Sequence, residues 1–284
     1  MASVSVVVPM YNEHDRIADT LHALLRQSRP IDEIIVVDNN STDDSSTRVA
    51  EIAAEHPTVR LISESEPGCY AARAAGYDAA TSDIIARTDA DTLVDERWAE
   101  TIVDFFDSEA GRPFSASTGS VSLYDGPPFK IIEKVTQGVA EAQEAPTLVG
   151  PNHAIRKSAW LQIRDTLTRR PDVWEDFDIS MALKEKGLRI WYTPQQQVST
   201  SCRTQQKSPI ANWHYLFGGI RTAKARGDAK SLKTMRIDLP LRFILFTVSW
   251  LVFRPWNDRK QTWRPHRLVL PLDHDHGDVT ALRD

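Results

Sequence analysis

Two aspartates, Asp89 and Asp91, follow the apolar run "DIIART" with a single alanine between them. If the extended backbone continues through residue 91, both side chains point to the same side of the chain. Carboxylates placed in this way suit Mg²⁺ or Mn²⁺, which prefer oxygen ligands and often complete their coordination with substrate phosphates. The spacing predicts a metal and diphosphate site at a strand end; a solvated turn is the alternative.

A second acidic group, "WEDFD", supplies Glu175, Asp176 and Asp178. A carboxylate can take the proton from a hydroxyl group as that hydroxyl attacks an electrophilic carbon. Neighbouring carboxylates raise one another's pKa, which strengthens one of them as a base. The structural alternative is a helix N-terminus, where acidic residues are favoured, because a helix is predicted from about Ile179. We expect that capping role for Asp178.

The first third of the chain alternates apolar runs with segments that suit helices. The runs are apolar on both faces, as in the strands of a parallel sheet covered on both sides. They span residues 4–9, 33–38, 59–63 and 83–88. Helices are predicted over residues 15–27, 44–54, 70–80 and 97–106. This alternation predicts an α/β fold with a Rossmann-like, mostly parallel sheet flanked by helices.

Polar loops follow three of the predicted strands. They read "PMYNE" after the first strand, "DNNSTDD" after the second and "TDADT" after the fourth. Ligands of open α/β sheets bind beyond the carboxyl ends of the strands, so we expect these loops to share one cleft. Glu13 and Asp38 are placed there to accept hydrogen bonds from a base or a ribose, although Asp38 also suits a turn.

Composition limits the class of protein. The 284 residues are 41% hydrophobic with a formal net charge of -5, which indicates a globular core and argues against a general nucleic-acid binder. The two cysteines, Cys69 and Cys202, form neither a disulfide framework nor a metal-ligand pair, which favours a reducing, cytoplasmic setting. The N-terminus lacks the basic and long apolar regions of a secretory signal.

The organisation changes after the fourth predicted strand. Pro, Gly, Ser and Thr concentrate over residues 113–128, and the strict alternation ends at about residue 129. We therefore predict one domain over residues 1–236, with a ligand-binding half at 1–125 and a second half at 126–236. Residues 237–284 are predicted to be a C-terminal helical extension.

Four motifs together resemble the family 2 glycosyltransferases, which adopt the GT-A fold. They read "VVVPMYNE", "IIVVDNNSTDDS", "AARAAGYDAATSDIIARTDADT" and "WEDFDISMALKEKGLRIWY", and cover roughly residues 3 to 200. Their order and spacing match the family, so the set is more specific than any single motif. The resemblance implies an inverting enzyme that moves a sugar from a UDP- or GDP-linked donor to an acceptor hydroxyl, with Mg²⁺ or Mn²⁺ as cofactor.

The resemblance also implies a role for each matching residue. Donor contacts are implied for Pro9, Tyr11, Glu13, Asp38 and Arg73, with Asp38 facing the base. Metal ligation is implied for Asp91, and ribose or metal contact for Asp89. Asp176 is implied to be the catalytic base, with Glu175 orienting it. The segment "VGPNHAIRKSAW" matches the region between donor and acceptor, which makes Gly150, Asn152 and His153 the candidates that face the sugar or acceptor.

The chain departs from the family at two points. Many relatives carry a histidine ligand after the strand that follows the Glu-Asp helix, whereas this chain has "QQQVSTSCRT". Arg203 or Lys207 is then the candidate to neutralise the donor diphosphate directly. The "QxxRW" signature of processive synthases is also absent, which favours transfer of one sugar per encounter.

Two other functions fit parts of the sequence. A sugar-nucleotide nucleotidyltransferase is built on a similar sheet, but "PMYNE" lacks the glycine-rich basic loop that would cradle a triphosphate. A non-catalytic module that binds nucleotide sugars would keep the same fold. Release of pyrophosphate from a sugar phosphate and a triphosphate would identify the first of these.

The C-terminal part combines basic and apolar segments. Residues 203–236 contain eight Lys or Arg and one acidic residue, and an apolar segment follows at 239–256. Its apolar centre, 243–253, would span about 16 Å as a helix, about half of a bilayer core. The segment therefore either lies in the membrane interface or packs on the domain. The basic stripe favours a lipid or lipid-linked acceptor, and peripheral contact with the inner face of the membrane.

Overall fold

The computed structural model describes residues 1–128, 141–258 and 260–270. Its first half contains the four predicted strands, which pair in parallel in the order β3-β2-β1-β4. They are β1 (Val4–Met10), β2 (Glu33–Asp38), β3 (Val59–Ser63) and β4 (Ile84–Arg87). The helices are α1 (Ile17–Leu25), α2 (Ser45–Glu55), α3 (Cys69–Ala79) and α4 (Trp98–Asp107). The strand and helix predictions for this half are confirmed.

Both faces of this sheet are covered, which explains its continuous apolar strands. On β1, Val6 and Val8 pack into the cluster formed with α1 and α4, whereas Val7 packs into the cluster on the opposite face. On that second face α3 approaches the sheet closely at Gly76, where a Cβ would overlap the Val7 side chain. Successive β1 residues therefore need to be apolar, since neither side of the strand faces water.

The second half extends the sheet with mixed pairing. Its strands are β5 (Thr92–Val94), β6 (Ala116–Leu123), β7 (Gln143–Glu144), β8 (His153–Arg156) and β9 (Ile190–Thr200). β8 lies antiparallel between β4 and β6, and β6 pairs in parallel with β9. β5 and β7 both pair antiparallel with β9. The predicted α/β architecture is confirmed, and β8 joins the two halves into one sheet.

The helices of the second half are α5 (Lys157–Ile163), α6 (Glu175–Glu185), α7 (Arg203–Gln206), α8 (Trp213–Ala225) and α9 (Ala229–Phe253). Short 3₁₀ turns cover Arg164–Thr166 and Pro265–Leu268, and a hairpin pairs β10 (Trp256–Asn257) with β11 (Thr262–Trp263). The start predicted for α6, near Ile179, is wrong. The helix begins at Glu175, so Glu175 and Asp176 lie in its first turn.

The predicted C-terminal helix is present but longer than expected. α9 has 25 residues, about 37 Å at about 1.5 Å each, and joins the end of the basic stripe to the apolar segment. It starts ahead of the apolar segment because Asp228 caps it, accepting a hydrogen bond from the Ser231 backbone N–H at 3.0 Å. Among the described residues, no helix combines the length and the apolar character that a membrane span requires.

The predicted boundary after residue 236 falls inside α9. Residues 271–284 of the predicted extension lie outside the described residues. The division of the chain into a domain with two halves and an extension stays a prediction.

Candidate active site

The loops that follow β1 and β2 are joined by hydrogen bonds. Asn12 Oδ1 accepts from the Thr42 backbone N–H at 2.8 Å, and the Asn12 backbone N–H donates to Ser41 Oγ at 3.0 Å. The Glu13 backbone N–H donates to Ser45 Oγ at 2.8 Å. Asn12 has a φ of 53°, a left-handed conformation that asparagine tolerates better than most residues. Sequence reasoning missed Asn12, which holds these two loops as one rim.

The predicted nucleotide contacts lie along this rim. Asp38 ends β2, and its Oδ1 accepts from the Ser41 backbone N–H at 3.1 Å, so it also holds the turn. Tyr11 is 51% exposed, and Pro9 is partly buried at the end of β1. The geometry is compatible with both interpretations of Asp38, as a turn residue and as a contact to the donor. The donor roles of Pro9, Tyr11 and Asp38 stay predictions.

Arg203 connects the first loop to the second predicted aspartate. One terminal nitrogen of its guanidinium lies 2.6 Å from Glu13 Oε1 and 2.6 Å from Asp91 Oδ2. Burial raises the pKa of Glu13, and the Arg203 charge offsets only part of that effect. The same two carboxylates raise the pKa of Arg203 although burial opposes them. This cation is supplied by α7, a helix of four residues.

A buried aspartate anchors the segment that carries Arg203. Asp125 accepts hydrogen bonds from the Cys202 backbone N–H at 2.6 Å and from Ser201 Oγ at 2.8 Å. Arg16 Nη1 donates to Tyr124 Oη at 2.6 Å and lies 3.4 Å from Asp125 Oδ2. The end of β6 and the turn after β1 thereby fix the start of α7. No sequence pattern predicts these contacts.

Asp89 and Asp91 do not continue the strand. β4 ends at Arg87, and the Thr92 backbone N–H donates to the Asp89 carbonyl at 3.1 Å, which closes a turn. The Asp89 carboxylate is bound by Arg87, with Arg73 at 3.7 Å, whereas Asp91 is bound by Arg203. The expectation of extended geometry was wrong, and the two side chains contact different arginines.

Arg73 and Arg87 form a buried charge network with Asp89 and Glu175. Arg73 binds Glu175 in the first turn of α6, while Arg87 binds Asp89. Burial raises the pKa of Glu175 despite the nearby arginines. Burial also favours protonation of Asp89, but the charges of Arg87 and Arg73 outweigh it and lower the pKa of Asp89. The network joins α3 and β4 to α6, across the two halves of the sheet.

Asp176 lies at the edge of this network and is partly exposed. A Cβ built on Gly150 would lie 3.5 Å from Asp176 Oδ2 and 3.7 Å from Arg87 Nη1. Asp176 Oδ1 accepts from the Phe177 backbone N–H at 3.0 Å. The structure therefore brings Asp176 and Gly150 together with the arginine that binds Asp89. Arg87 was missed, and its signal was a single arginine within an otherwise apolar strand.

Asn152 was predicted to face the sugar or acceptor, and that placement is wrong. Its side chain is fully buried, and Oδ1 accepts from Trp98 Nε1 at 2.8 Å and Gln196 Nε2 at 3.0 Å. Its Nδ2 donates to the carbonyls of Ser120 at 2.8 Å and Gln196 at 2.7 Å. Asn152 therefore stabilises the junction of β6, β9 and α4, with no donor left for a ligand.

His153 is also buried, which corrects its predicted role. Its Nδ1 lies 3.1 Å from the Val149 carbonyl, so Nδ1 carries the proton, and Nε2 accepts from Tyr77 Oη at 2.8 Å. Burial, assisted by the charge of Arg87, lowers the pKa of His153 to about 3. Both ring nitrogens are occupied by the protein, so His153 is a neutral structural residue that faces neither the sugar nor the acceptor.

Asp178 does not cap α6, contrary to the prediction. It is 1% exposed, and its carboxylate accepts from the Thr168 backbone N–H at 2.7 Å and from Arg226 Nε at 2.6 Å. Arg226 follows α8, so this ion pair fixes α6 against that helix. The acidic residues of "WEDFD" thus divide: Glu175 and Asp178 are buried in ion pairs, and Asp176 stays partly exposed.

The predicted metal ligands have suitable chemistry but an incomplete site. No group of three or more His, Cys, Asp or Glu that could hold a metal ion occurs in the described part of the chain. Asp89 and Asp91 are also engaged by arginines. Mg²⁺ is, however, commonly held by one or two carboxylates together with substrate phosphates. These residues fit a cation that binds with a diphosphate, and they do not form a cage for a cation alone.

Residues 5–163 match the family model described as glycosyl transferase family 2. This chain belongs to that family. This chain is 40% identical over 93 residues to the uncharacterized glycosyltransferase Mb0553 of Mycobacterium bovis. The alignment covers 33% of this chain and 38% of the relative. The chain is 36% identical over 93 residues to the undecaprenyl-phosphate 4-deoxy-4-formamido-L-arabinose transferase of Pseudomonas fluorescens, covering 31% and 27%. It spans about a third of the length of the curated relatives it matches.

Solved structures share the fold of this family 2 chain. The mannosyltransferase PcManGT of Pyrobaculum calidifontis, in complex with GDP-Man and Mn²⁺, superposes with a TM-score of 0.62 at 22% identity. The alignment covers 88% of this chain and 73% of that protein. The predicted GT-A fold is confirmed.

Proposed function

We propose that this protein transfers a single sugar, with inversion, from a nucleotide-diphosphate donor to an acceptor hydroxyl. The supporting observation is the position of Asp176. Asp176 is partly exposed, whereas the two other acids of the charge network are paired with arginines: Asp89 with Arg87, and Glu175 with Arg73. Asp176 is thereby left as the carboxylate that is free to act as a base beside the predicted donor loops.

Asp176 takes the proton of the acceptor hydroxyl as that oxygen attacks the anomeric carbon. The bond to the nucleotide diphosphate breaks on the opposite face of the sugar, so the configuration inverts. Glu175 orients the first turn of α6 through its ion pair with Arg73. Arg203 is placed to neutralise charge that develops on the leaving diphosphate, because it already lies between Glu13 and Asp91.

The donor is proposed to be a UDP- or GDP-linked sugar held by Pro9, Tyr11, Glu13 and Asp38. Asp91, with Asp89, would hold Mg²⁺ or Mn²⁺ through carboxylate oxygens, and such a cation stabilises a leaving diphosphate. The related fold solved with GDP-Man and Mn²⁺ supports this assignment. Titration calorimetry with UDP and GDP, with and without Mn²⁺, tests it. Affinities that Mn²⁺ leaves unchanged would contradict the cation assignment.

The acceptor is proposed to be a lipid or lipid-linked sugar reached at a membrane surface. Exposed apolar side chains of α9 recur at helical spacing at Ile237, Leu241, Ile244, Val248 and Leu251, which are 47% to 67% exposed, and Leu245 is exposed beside them. Lys230, Lys233 and Arg236 are exposed on the preceding turns. An apolar stripe beside basic residues suits the interface of an anionic membrane. The relative named for undecaprenyl phosphate also supports a lipid acceptor.

Substitution Asp176→Asn tests the catalytic assignment. We expect transfer to fall by about 10²- to 10⁴-fold, the usual contribution of a general base, while the affinity for UDP or GDP stays unchanged. Asp165→Asn is the matched control, because that carboxylate is 80% exposed and lies outside the site. Transfer and nucleotide affinity are measured by radiolabelled-sugar assay and calorimetry. Transfer retained in Asp176→Asn would rule out this base.

A further inference from the structure

The guanidinium of Arg87 is buried with two of its nitrogens unsatisfied. Its side chain is 1% exposed, and Nη2 binds Asp89. Nε and Nη1 have no hydrogen-bond partner among the described residues. Leaving a buried charged donor unpaired is costly, so a partner is expected in the working state of the site.

Nη1 lies near Gly150, and the space left by the absent Gly150 side chain is called the notch. The position of a Cβ on Gly150 lies 3.7 Å from Arg87 Nη1 and 3.5 Å from Asp176 Oδ2, which are ordinary contact distances. Gly150 itself is partly exposed. The notch therefore has room for one atom close to both the unpaired donor and the proposed base.

The charges around the notch determine which kind of ligand group can bind there. Two arginines, Arg73 and Arg87, face three carboxylates, those of Asp89, Glu175 and Asp176. A further carboxylate would add to an excess of negative charge, and a cation would be repelled by Arg87. A neutral hydroxyl oxygen can accept from Nη1 and, through its own proton, donate toward Asp176.

We propose that a hydroxyl group of the donor sugar binds in this notch and accepts a hydrogen bond from Arg87 Nη1. This inference rests on the proposed transfer function and makes Arg87 a residue that recognises the sugar rather than the nucleotide. The donor sugar is the source because a hydrogen bond from Arg87 to the attacking acceptor oxygen would weaken that nucleophile. Arg87 and Gly150 together then determine which hydroxyl pattern the site accepts.

The experiment compares sugar nucleotides with their bare nucleotides. Affinities for UDP, UDP-glucose, UDP-galactose, UDP-N-acetylglucosamine, GDP and GDP-mannose are measured by calorimetry, without acceptor. The unmodified protein should bind at least one sugar nucleotide more tightly than its bare nucleotide. Arg87→Lys keeps a cation for Asp89 but removes Nη1, and Gly150→Ala fills the notch with a methyl group. In both variants the ratio of sugar-nucleotide affinity to bare-nucleotide affinity should fall by about 10- to 100-fold, the range expected for a hydrogen bond to a charged group.

Bare-nucleotide affinity should stay within about twofold in both variants, since only a sugar hydroxyl is proposed to enter the notch and Arg87→Lys keeps a cation beside Asp89. Arg97→Lys is the control, because Arg97 is 70% exposed and directly precedes α4. Equal losses for sugar nucleotide and bare nucleotide, or an unchanged increment in Gly150→Ala, would overturn the inference and leave the proposed function standing. An unmodified protein that binds none of these nucleotides would overturn both.

Discussion

Among the individual side chains, Arg203 has a position that favours it over Lys207 as the proposed contact to the diphosphate. It is paired with Glu13 and Asp91, whereas Lys207 has no such pairing with these acids. The ion pairs place one cation between two acidic loops, where a diphosphate can replace a carboxylate as its partner. Arg203, and not Lys207, is therefore the residue whose loss should weaken donor binding.

Arg203→Ala should raise the Kd for UDP or GDP by about 10-fold or more, because a charge-assisted hydrogen bond is lost from a partly buried site. Arg203→Lys should recover part of the affinity. Lys207→Ala serves as the control, and titration calorimetry is the measurement. A larger loss of affinity in Lys207→Ala would reverse the assignment.

His153 provides a prediction about pH and stability. Its pKa is lowered from 6.5 to about 3 in the folded protein. Below pH 6.5 the unfolded chain therefore binds a proton that the folded chain does not bind. This group lowers the free energy of unfolding by up to about 1.4 kcal/mol for each pH unit between pH 6.5 and 3.

His153→Gln should remove that contribution, so the free energy of unfolding should fall less steeply from pH 6.5 toward pH 5. Urea denaturation at several pH values measures it. The variant His14→Gln, at an exposed position, should behave like the unmodified protein. Identical slopes in the protein and His153→Gln would show that His153 takes up no proton on unfolding in this range, which would contradict its lowered pKa.

At the level of helices, Trp174 fixes the start of α6. Its backbone N–H donates to Thr222 Oγ1 at 2.9 Å, and its Nε1 donates to the Tyr215 carbonyl at 2.8 Å, both on α8. Its indole packs on Gly218, where a Cβ would overlap the ring. The guanidinium of Arg242, on α9, lies over the Trp174 ring, with Cζ 4.8 Å from the ring centroid. The first turn that carries Asp176 is thus positioned by two helices from later in the chain.

Gly218→Ala should destabilise the protein by about 1–3 kcal/mol, because an added methyl group overpacks the contact with Trp174. Displacement of Trp174 also moves the first turn of α6, so we expect kcat to fall while UDP or GDP affinity stays the same. Lys224→Ala, at an exposed position of the same helix, is the control. Thermal unfolding and transfer assays test both effects. A variant as stable as the control would contradict the packing argument.

The regular elements of the first half were predictable because each strand is apolar on both faces and each is followed by a helix. The start of α6 was misplaced because "WEDFD" gives no sign that Trp174 docks on α8. The start of α9 was missed although Asp228 and Ser231 form a capping pair, since the apolar segment further on dominated the pattern.

Partners in the site were less predictable than the residues themselves. Glu13, Asp89, Asp91 and Asp176 stand out by position at strand and helix ends, but Arg203, which pairs with both Glu13 and Asp91, is distant in sequence. Arg203 and Glu13 are 190 positions apart, so only the folded chain shows their contact. The roles given to Asn152 and His153 failed for the same reason, because burial by β6, β9 and α3 cannot be read from a loop sequence.

In the whole molecule, α9 connects its exposed apolar stripe, the proposed membrane-binding surface, to the candidate active site. Arg254, at its C-terminal end, donates to the Gln206 carbonyl of α7 at 3.3 Å, and Phe253 packs on Gly126. The ring centroids of Phe246, on α9, and Tyr215, on α8, are 5.7 Å apart. A surface docked through α9 would therefore lie close to α7, which carries Arg203, and a lipid acceptor would not need to leave the bilayer completely.

A triple variant, Leu241→Gln, Ile244→Gln and Val248→Gln, should reduce flotation with all vesicles, because apolar burial in the interface is lost. A double variant, Lys230→Gln and Lys233→Gln, should reduce flotation only with vesicles that contain anionic phosphatidylglycerol. Phosphatidylcholine vesicles provide the comparison. Flotation of the triple variant equal to that of the unmodified protein would exclude α9 as the docking surface.

The two cysteines differ in accessibility, and this has a practical use. Cys69 is exposed at the first position of α3, one turn before Arg73, whereas Cys202 is buried and burial raises the pKa of its thiol. A maleimide dye should therefore attach at Cys69 in the native protein and spare Cys202, because the thiolate is the reactive form. The wild-type sequence thus provides its own attachment point for a fluorescent reporter near the loops that are proposed to hold the donor.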